Sequence, residues 1–278
     1  MSVRPAAVSG SWYPGTRGAL TREVDEYLDA AAEGPGGTIT AVIAPHAGLM
    51  FSGPVAACAY KAAAAMAYDS VVLAGPSHFI GFDGVAVYPD GAFETPMGLA
   101  SVDSGLALRL MRSPAIRAMP SAHAREHSLE MQLPFVSRLL PAARIVPLLM
   151  GFQNRETIRQ LADALADALK GTRSLIVAST DLSHYFSATE ALALDRRVQD
   201  YVNRFDPEGL LELAGEYPEH ERGRYVGCGI GPTISVMLAA QLLGARDARV
   251  LKYAHSGEVS GDYEGVVGYM AAAIGTFA

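Results

Sequence analysis

Residues 174–184 read SLIVASTDLSH, a short apolar run that ends abruptly in Asp181 and His184. A run of that length carrying Ile and Val predicts a buried strand. Polar side chains just past its C-terminal end lie where open α/β sheets collect ligand-binding groups. The same arrangement recurs along the chain. Residues 38–44 (TITAVIA) run into His46, residues 70–74 (SVVLA) into His78 of GPSH, and residues 249–253 (RVLKY) into His255 of YAHSG. Residues 84–88, 144–150 and 265–274 complete the predicted strands. Helical patterns fall between them, over 17–32, 53–67, 102–112, 129–140, 155–170, 189–204 and 233–243. In residues 155–170, Ile158, Leu161, Leu165 and Leu169 form one apolar stripe suited to packing on a sheet. The alternation predicts an α/β layered fold, and the lack of repeats or linkers predicts one domain over residues 1–278.

Composition narrows the function. The 278 residues are 50% hydrophobic and 18% charged, which suits a folded protein with a large interior. The formal charge of −7 opposes the basic footprint of a nucleic-acid binder, so no nucleic-acid partner is expected. Two cysteines and an N-terminus without an apolar stretch favour a cytoplasmic address. Residues 225–245 carry no charge, but glycines and Pro232 crowd the first third. The remainder is short enough for a core helix, and no membrane association is expected.

Four predicted loops thus offer His, and the segment GCGIGP offers Cys228 just before a predicted helix, where the helix dipole would favour a thiolate. Together they suggest a metal or acid-base cluster. Asp181 and His184, three apart, could share one face of a turn; Asp181 could equally cap a short helix. Glu126 and His127 precede the helical run at 129–140 and suit either a cap or a functional role. Cys58, among alanines, reads as core, and His123 and His220 read as surface residues. No nucleophile elbow, phosphate-binding loop, CxxC or HExxH is present.

Several motifs are familiar in combination. SGSWYP at 9–14, APHAG at 44–48, FSGP at 51–54, GPSH at 75–78, EHSLEMQLPF at 126–135, STDLSHY at 179–185, CG at 228–229 and SGDYEGVVGY at 260–269 occur in order over nearly the whole chain. This pattern resembles the Memo family, called AmmeMemoRadiSam system protein B in prokaryotes and similar to class III extradiol dioxygenases. The resemblance implies a three-layer α/β/α sandwich with a mixed, mostly parallel sheet. It implies His46, His78 and Cys228 as ligands of a divalent metal, Fe(II) first, with Cu or Zn(II) as alternatives because thiolate is a soft ligand. Catalytic roles are then expected for His184, Asp181 and His127, and substrate contacts for Trp12, Tyr13, Glu126 and His255. The expected function is a metal-dependent redox enzyme acting on a small organic substrate. A peptide- or protein-binding module with a vestigial pocket and a metal-assisted hydrolase are the alternatives. The prokaryotic name suggests an AMMECR1-like protein and a radical SAM enzyme as partners.

Overall fold

The computed structural model of the chain describes residues 2–278. Its strands are β1 (Val3–Arg4), β2 (Thr38–Ala44), β3 (Ser70–Pro76), β4 (Val85–Val87), β5 (Ala92–Thr95), β6 (Gly98–Ser101), β7 (Ile116–Ala118), β8 (Arg144–Met150), β9 (Ser174–Ser179), β10 (His184–Phe186), β11 (Asp247–His255) and β12 (Val266–Thr276). The main sheet runs β10-β12-β2-β9-β3-β8-β4-β7, with β11 also paired to β12. β2, β9, β3 and β8 are parallel neighbours at its centre, whereas β12 meets β2, β10 and β11 in antiparallel fashion and β4 meets β8 likewise. The sheet is therefore more evenly mixed than the mostly parallel one expected. β1, β5 and β6 form a small separate sheet.

Side-chain alternation makes the three layers. Val42 and Ala44 of β2, Val71 and Leu73 of β3, and Leu175 and Val177 of β9 face one side. There they pack with α1 (Arg17–Ala30), α2 (Leu49–Ala63) and α5 (Leu133–Leu139). Ala41 and Ile43, Val72 and Ala74, and Ile176 and Ala178 face the other. That side is covered by α3 (Ser104–Leu110), α6 (Arg155–Leu169), α7 (Ala188–Asn203), α8 (Pro207–Gly215) and α10 (Ile230–Leu242). The α6 stripe is buried along its length. Among the described residues no single helix is long and apolar enough to cross a membrane. Residues 225–245 contain α10, whose first eight residues are buried, as are Ala239 and Ala240, with Ile230, Ile234, Val236 and Met237 packed in the second core.

Several boundaries differ from the sequence reading. α2 starts four residues early, because Pro54 falls inside the helix rather than at its beginning. The run at 129–140 divides into a 3-10 turn, Glu130–Gln132, and α5. α4 (Pro120–His123), α8, α9 (Glu219–Tyr225) and α11 (Gly257–Ser260) were not foreseen, being too short to show a period. His255 ends β11 instead of lying in a loop after it, because that strand extends two residues past the apolar run.

His123, expected at the surface, is 1% exposed. Its ring meets Tyr88 and Phe93 edge-on, and neither ring nitrogen has a hydrogen-bond partner. Burial, aided by the nearby Arg4 charge, lowers its pKa from 6.5 to about 3. Below pH 6.5 the unfolded chain takes up a proton that the folded chain refuses, so this site withdraws stability as pH falls from 6.5 towards 3. His123→Leu is expected to reduce the loss of unfolding free energy between pH 7 and pH 5 by about 2 kcal/mol, read from urea unfolding at the two pH values.

Candidate metal centre

The parallel C-terminal ends of β2, β3 and β9 deliver His46, His78 and Asp181 to one end of the sheet. Cys228 arrives from the tight segment between α9 and α10. Gly227 there takes φ +136°, and a Cβ on Gly229 would lie 2.2 Å from the Ser179 carbonyl oxygen. Only glycine permits that approach. The Cys228 amide donates to the Asp181 carbonyl at 3.2 Å, and its own carbonyl accepts from Gln153 at 2.6 Å.

One ligand atom each from His46, His78 and Cys228 lies within 4.8 Å of the others. Cys228 Sγ is 3.2 Å from His46 Nε2. Around a bound metal, ligand atoms at 2.0–2.3 Å stand about 3.5 Å apart, so the donors are nearly at coordination spacing.

The hydrogen bonds behind the rings orient them. Ser179 Oγ donates to the Ser128 carbonyl at 2.7 Å and accepts from Gln132 Nε2 at 2.8 Å. Its one proton is thereby used, so at 2.9 Å it accepts from His46 Nδ1–H, leaving Nε2 as the ring's lone pair facing Cys228. His78 Nδ1 donates to Glu126 Oε1 at 2.8 Å, which frees its Nε2 in the same way. The buried Glu126 carboxylate also accepts from the amides of His78, His127 and Ser128. Burial opposes its charge, yet the bond from His78 and the backbone bonds outweigh that and hold it at about 2.

The electrostatics suit a cation. Complete burial, reinforced by the neighbouring His78, His127 and His184, pushes His46 well below its usual range, so it is neutral. Burial also disfavours charge on His78, but hydrogen bonds to Cys228 and Glu126 win and raise it to about 10. Without a metal these hydrogen bonds therefore keep a proton on His78, at a position that a divalent cation suits equally well. Two neutral-capable imidazoles and one thiolate are a donor set for Fe(II), Cu or Zn(II).

The cluster forms the floor of a pocket of about 540 Å³, also lined by Trp12, His127, Asp181, His184, Tyr185 and Arg224. Its size suits a small organic ligand. His127 is sandwiched between His78, 4.6 Å away and nearly parallel, and Trp12 at 4.4 Å; burial and the charge on His78 lower its pKa to about 4. Asp181 does not cap a helix. Its Oδ1 accepts from the amides of His46 and Ala47 at 2.8 and 3.3 Å, and burial raises its pKa. His184 opens β10 rather than a helical turn, and its Nδ1 is buried without a partner.

Three expected substrate contacts are placed elsewhere. Tyr13 is buried outside the pocket lining and donates to Glu130 Oε1 at 2.6 Å. Glu126 holds His78 and turns its carboxylate away from the pocket lining, its oxygens taken by four donors. His255 packs edge-on against Tyr263 at 5.7 Å and is not part of the pocket wall. The sequence reading missed Ser128, Gln132, Ser179 and Arg4. Arg4 is buried, pairs with Glu130 and donates to the carbonyls of His123 and Glu126, bracing the loop that carries Glu126 and His127. The spacing in EHSLEMQ, one apolar residue between successive buried polar ones from Ser128 to Gln132, was the available signal.

A family model described as Memo-like protein matches residues 4–273. The chain belongs to the Memo family. MEMO1 family proteins of Methanopyrus kandleri and Aquifex aeolicus are 37% and 34% identical to it, each alignment covering 96–97% of this chain and 97–98% of the relative. The structure of an uncharacterized protein from Escherichia coli K12 superposes with a TM-score of 0.57 at 13% identity, covering 86% of this chain and all of that one, a likeness of fold alone. The Memo motifs quoted from the sequence thus coincide with the pocket floor: APHAG supplies His46, GPSH supplies His78, and the CG dipeptide supplies Cys228.

Glu126→Gln keeps the shape of the side chain but removes its charge from His78. It is expected to weaken metal binding by about 10- to 100-fold, measured by competition with a chelator.

Proposed function

We propose that this Memo protein is a metal-dependent redox enzyme acting on a small organic substrate, with His46, His78 and Cys228 as metal ligands. The observation that carries this reading is the convergence of those three donors, with both imidazoles turned to offer Nε2 by bonds from Ser179 and Glu126. A pocket serving only to bind a peptide gains nothing from burying His46 with its ring held neutral by complete desolvation. A bound Fe(II) or copper would be held by His46, His78 and Cys228 and would supply a Lewis-acidic, redox-active centre.

The chain's own groups bind, orient and move protons. Trp12 and Tyr185 wall the pocket mouth and limit the access of water to a bound substrate. His184 is the proposed general acid/base, since an imidazole can take a substrate's proton at one nitrogen and later return it. His184 lines the pocket, and the neighbouring Asp181 stabilises the ring when it carries charge. His127, kept neutral between Trp12 and His78, presents an uncharged face to the ligand.

Elemental analysis of protein purified without oxygen or an affinity metal tests the ligand set. About one metal per chain is expected, lost in His46→Ala and Cys228→Ser but retained in Cys58→Ser, because the Cys58 thiol is buried in the core and donates to the Pro54 carbonyl. Equal metal content in the two cysteine variants removes Cys228 from the site. Oxygen uptake that requires iron or copper and fails with zinc supports redox chemistry, whereas zinc-supported hydrolysis overturns it. With a turnover assay in hand, His184→Ala is expected to keep the metal and lose turnover by about 100-fold or more. An unchanged rate excludes His184 as the acid/base.

A further inference from the structure

Arg224, near the end of α9, lines the pocket together with Cys228, His184 and Tyr185. Its guanidinium carbon lies 4.9 Å from the centre of the Phe186 ring and 5.9 Å from that of Tyr225. Tyr225 is itself stacked on Tyr217, with centroids 4.6 Å apart and planes within 11°. Aromatic contacts engage the faces of a guanidinium and leave its N–H edge free, so this stack holds the group in place without using its donors.

Among the described residues no carboxylate lies within ion-pairing distance of Arg224. Acidic groups are not scarce, for the chain has 29 against 22 basic residues. Asp181 is the one carboxylate among the pocket's lining residues, and it is committed to the amides of His46 and Ala47. The pocket thus pairs an aromatic mouth with a cation whose hydrogen-bonding edge is unused, a combination that fits an anionic ligand.

We infer that Arg224 is the anchor for an anionic group on the substrate, and that the pocket takes small organic carboxylates or phosphates in preference to their neutral analogues. The inference rests on reading the pocket as a substrate site. Arg224 acts here as a binding residue that sets specificity: its N–H edge receives two oxygens of the anion, while the body of the molecule lies against Trp12 and Tyr185.

Trp12 is the chain's only tryptophan and lines the pocket, so its fluorescence reports occupancy. Metal-free and iron-loaded protein would each be titrated with benzoate, phenyl phosphate and benzamide. At least one anion is expected to bind about tenfold more tightly than benzamide, and the tighter of the two identifies the anionic group. Arg224→Met is expected to remove that preference while leaving benzamide affinity unchanged, and Arg224→Lys to restore part of it. Arg125, stacked on Phe79 at 5.1 Å but outside the pocket lining, provides the control for net charge. Equal affinities for all three probes, no binding of any, an anion preference that survives Arg224→Met, or an equal loss in Arg125→Met overturns the inference. The metal-free titration is independent of the ligand set, so failure of the metal assignment and failure of the Arg224 assignment give different results.

Discussion

The Ser179 hydroxyl has a single proton, and its donation to the Ser128 carbonyl ties three parts of the molecule together. Because that proton is spent, the oxygen can only accept from Gln132 and from His46. Gln132 in turn accepts from the Tyr60 hydroxyl at 2.9 Å and donates to the Pro45 carbonyl at 3.0 Å, joining α2 and the loop after β2. Each of these groups is buried, where an unmet donor costs about 1–3 kcal/mol. The network therefore has one satisfactory arrangement, and in that arrangement His46 offers Nε2 to Cys228 and the pocket.

Two carboxylates carry the rest of the site. Glu126 fixes His78 and the backbone of its own loop, while Asp181 receives the amides that follow β2. Both act as templates for neighbouring segments, the usual service of buried acids that are fully hydrogen-bonded. Glu130 does the same for the N-terminal arm: it takes the amides of Ala7 and Val8, the Tyr13 hydroxyl and the Arg4 guanidinium. The amide of Leu49 then donates to the Trp12 carbonyl at 2.8 Å, which sets the indole at the pocket mouth. The position of Trp12 thus depends on a buried ion pair outside the set of metal-ligand candidates.

Strand ends were the most legible feature: the apolar runs before His46 and Asp181 stop where β2 and β9 stop, and the run before His78 falls two residues short of the end of β3. Within β2 the structure sends Ala41 and Ile43 to one core and Val42 and Ala44 to the other, a division that an all-apolar run does not reveal. Helix α6 announced its buried face through Ile158, Leu161, Leu165 and Leu169. His123 and His255 were misplaced for a common reason. Exposure and strand length at the sheet margins follow from which neighbours arrive, and Tyr88, Phe93 and β12 arrive from elsewhere in the chain. Tyr13 and Glu126 were expected as substrate contacts, whereas their hydrogen-bond partners, Glu130 and His78, lie 117 and 48 residues away.

By itself the sequence determined the layered α/β architecture, the end of the sheet at which chemistry collects, and the residue types gathered there. Those properties follow from local periodicity and from the chain reversing after each strand. Only the tertiary structure decided which histidines share a centre, which ring nitrogen each presents, and which acids hold loops in place of touching a ligand. Such choices depend on satisfying every buried donor and acceptor at once, and that condition is met between segments more than a hundred residues apart.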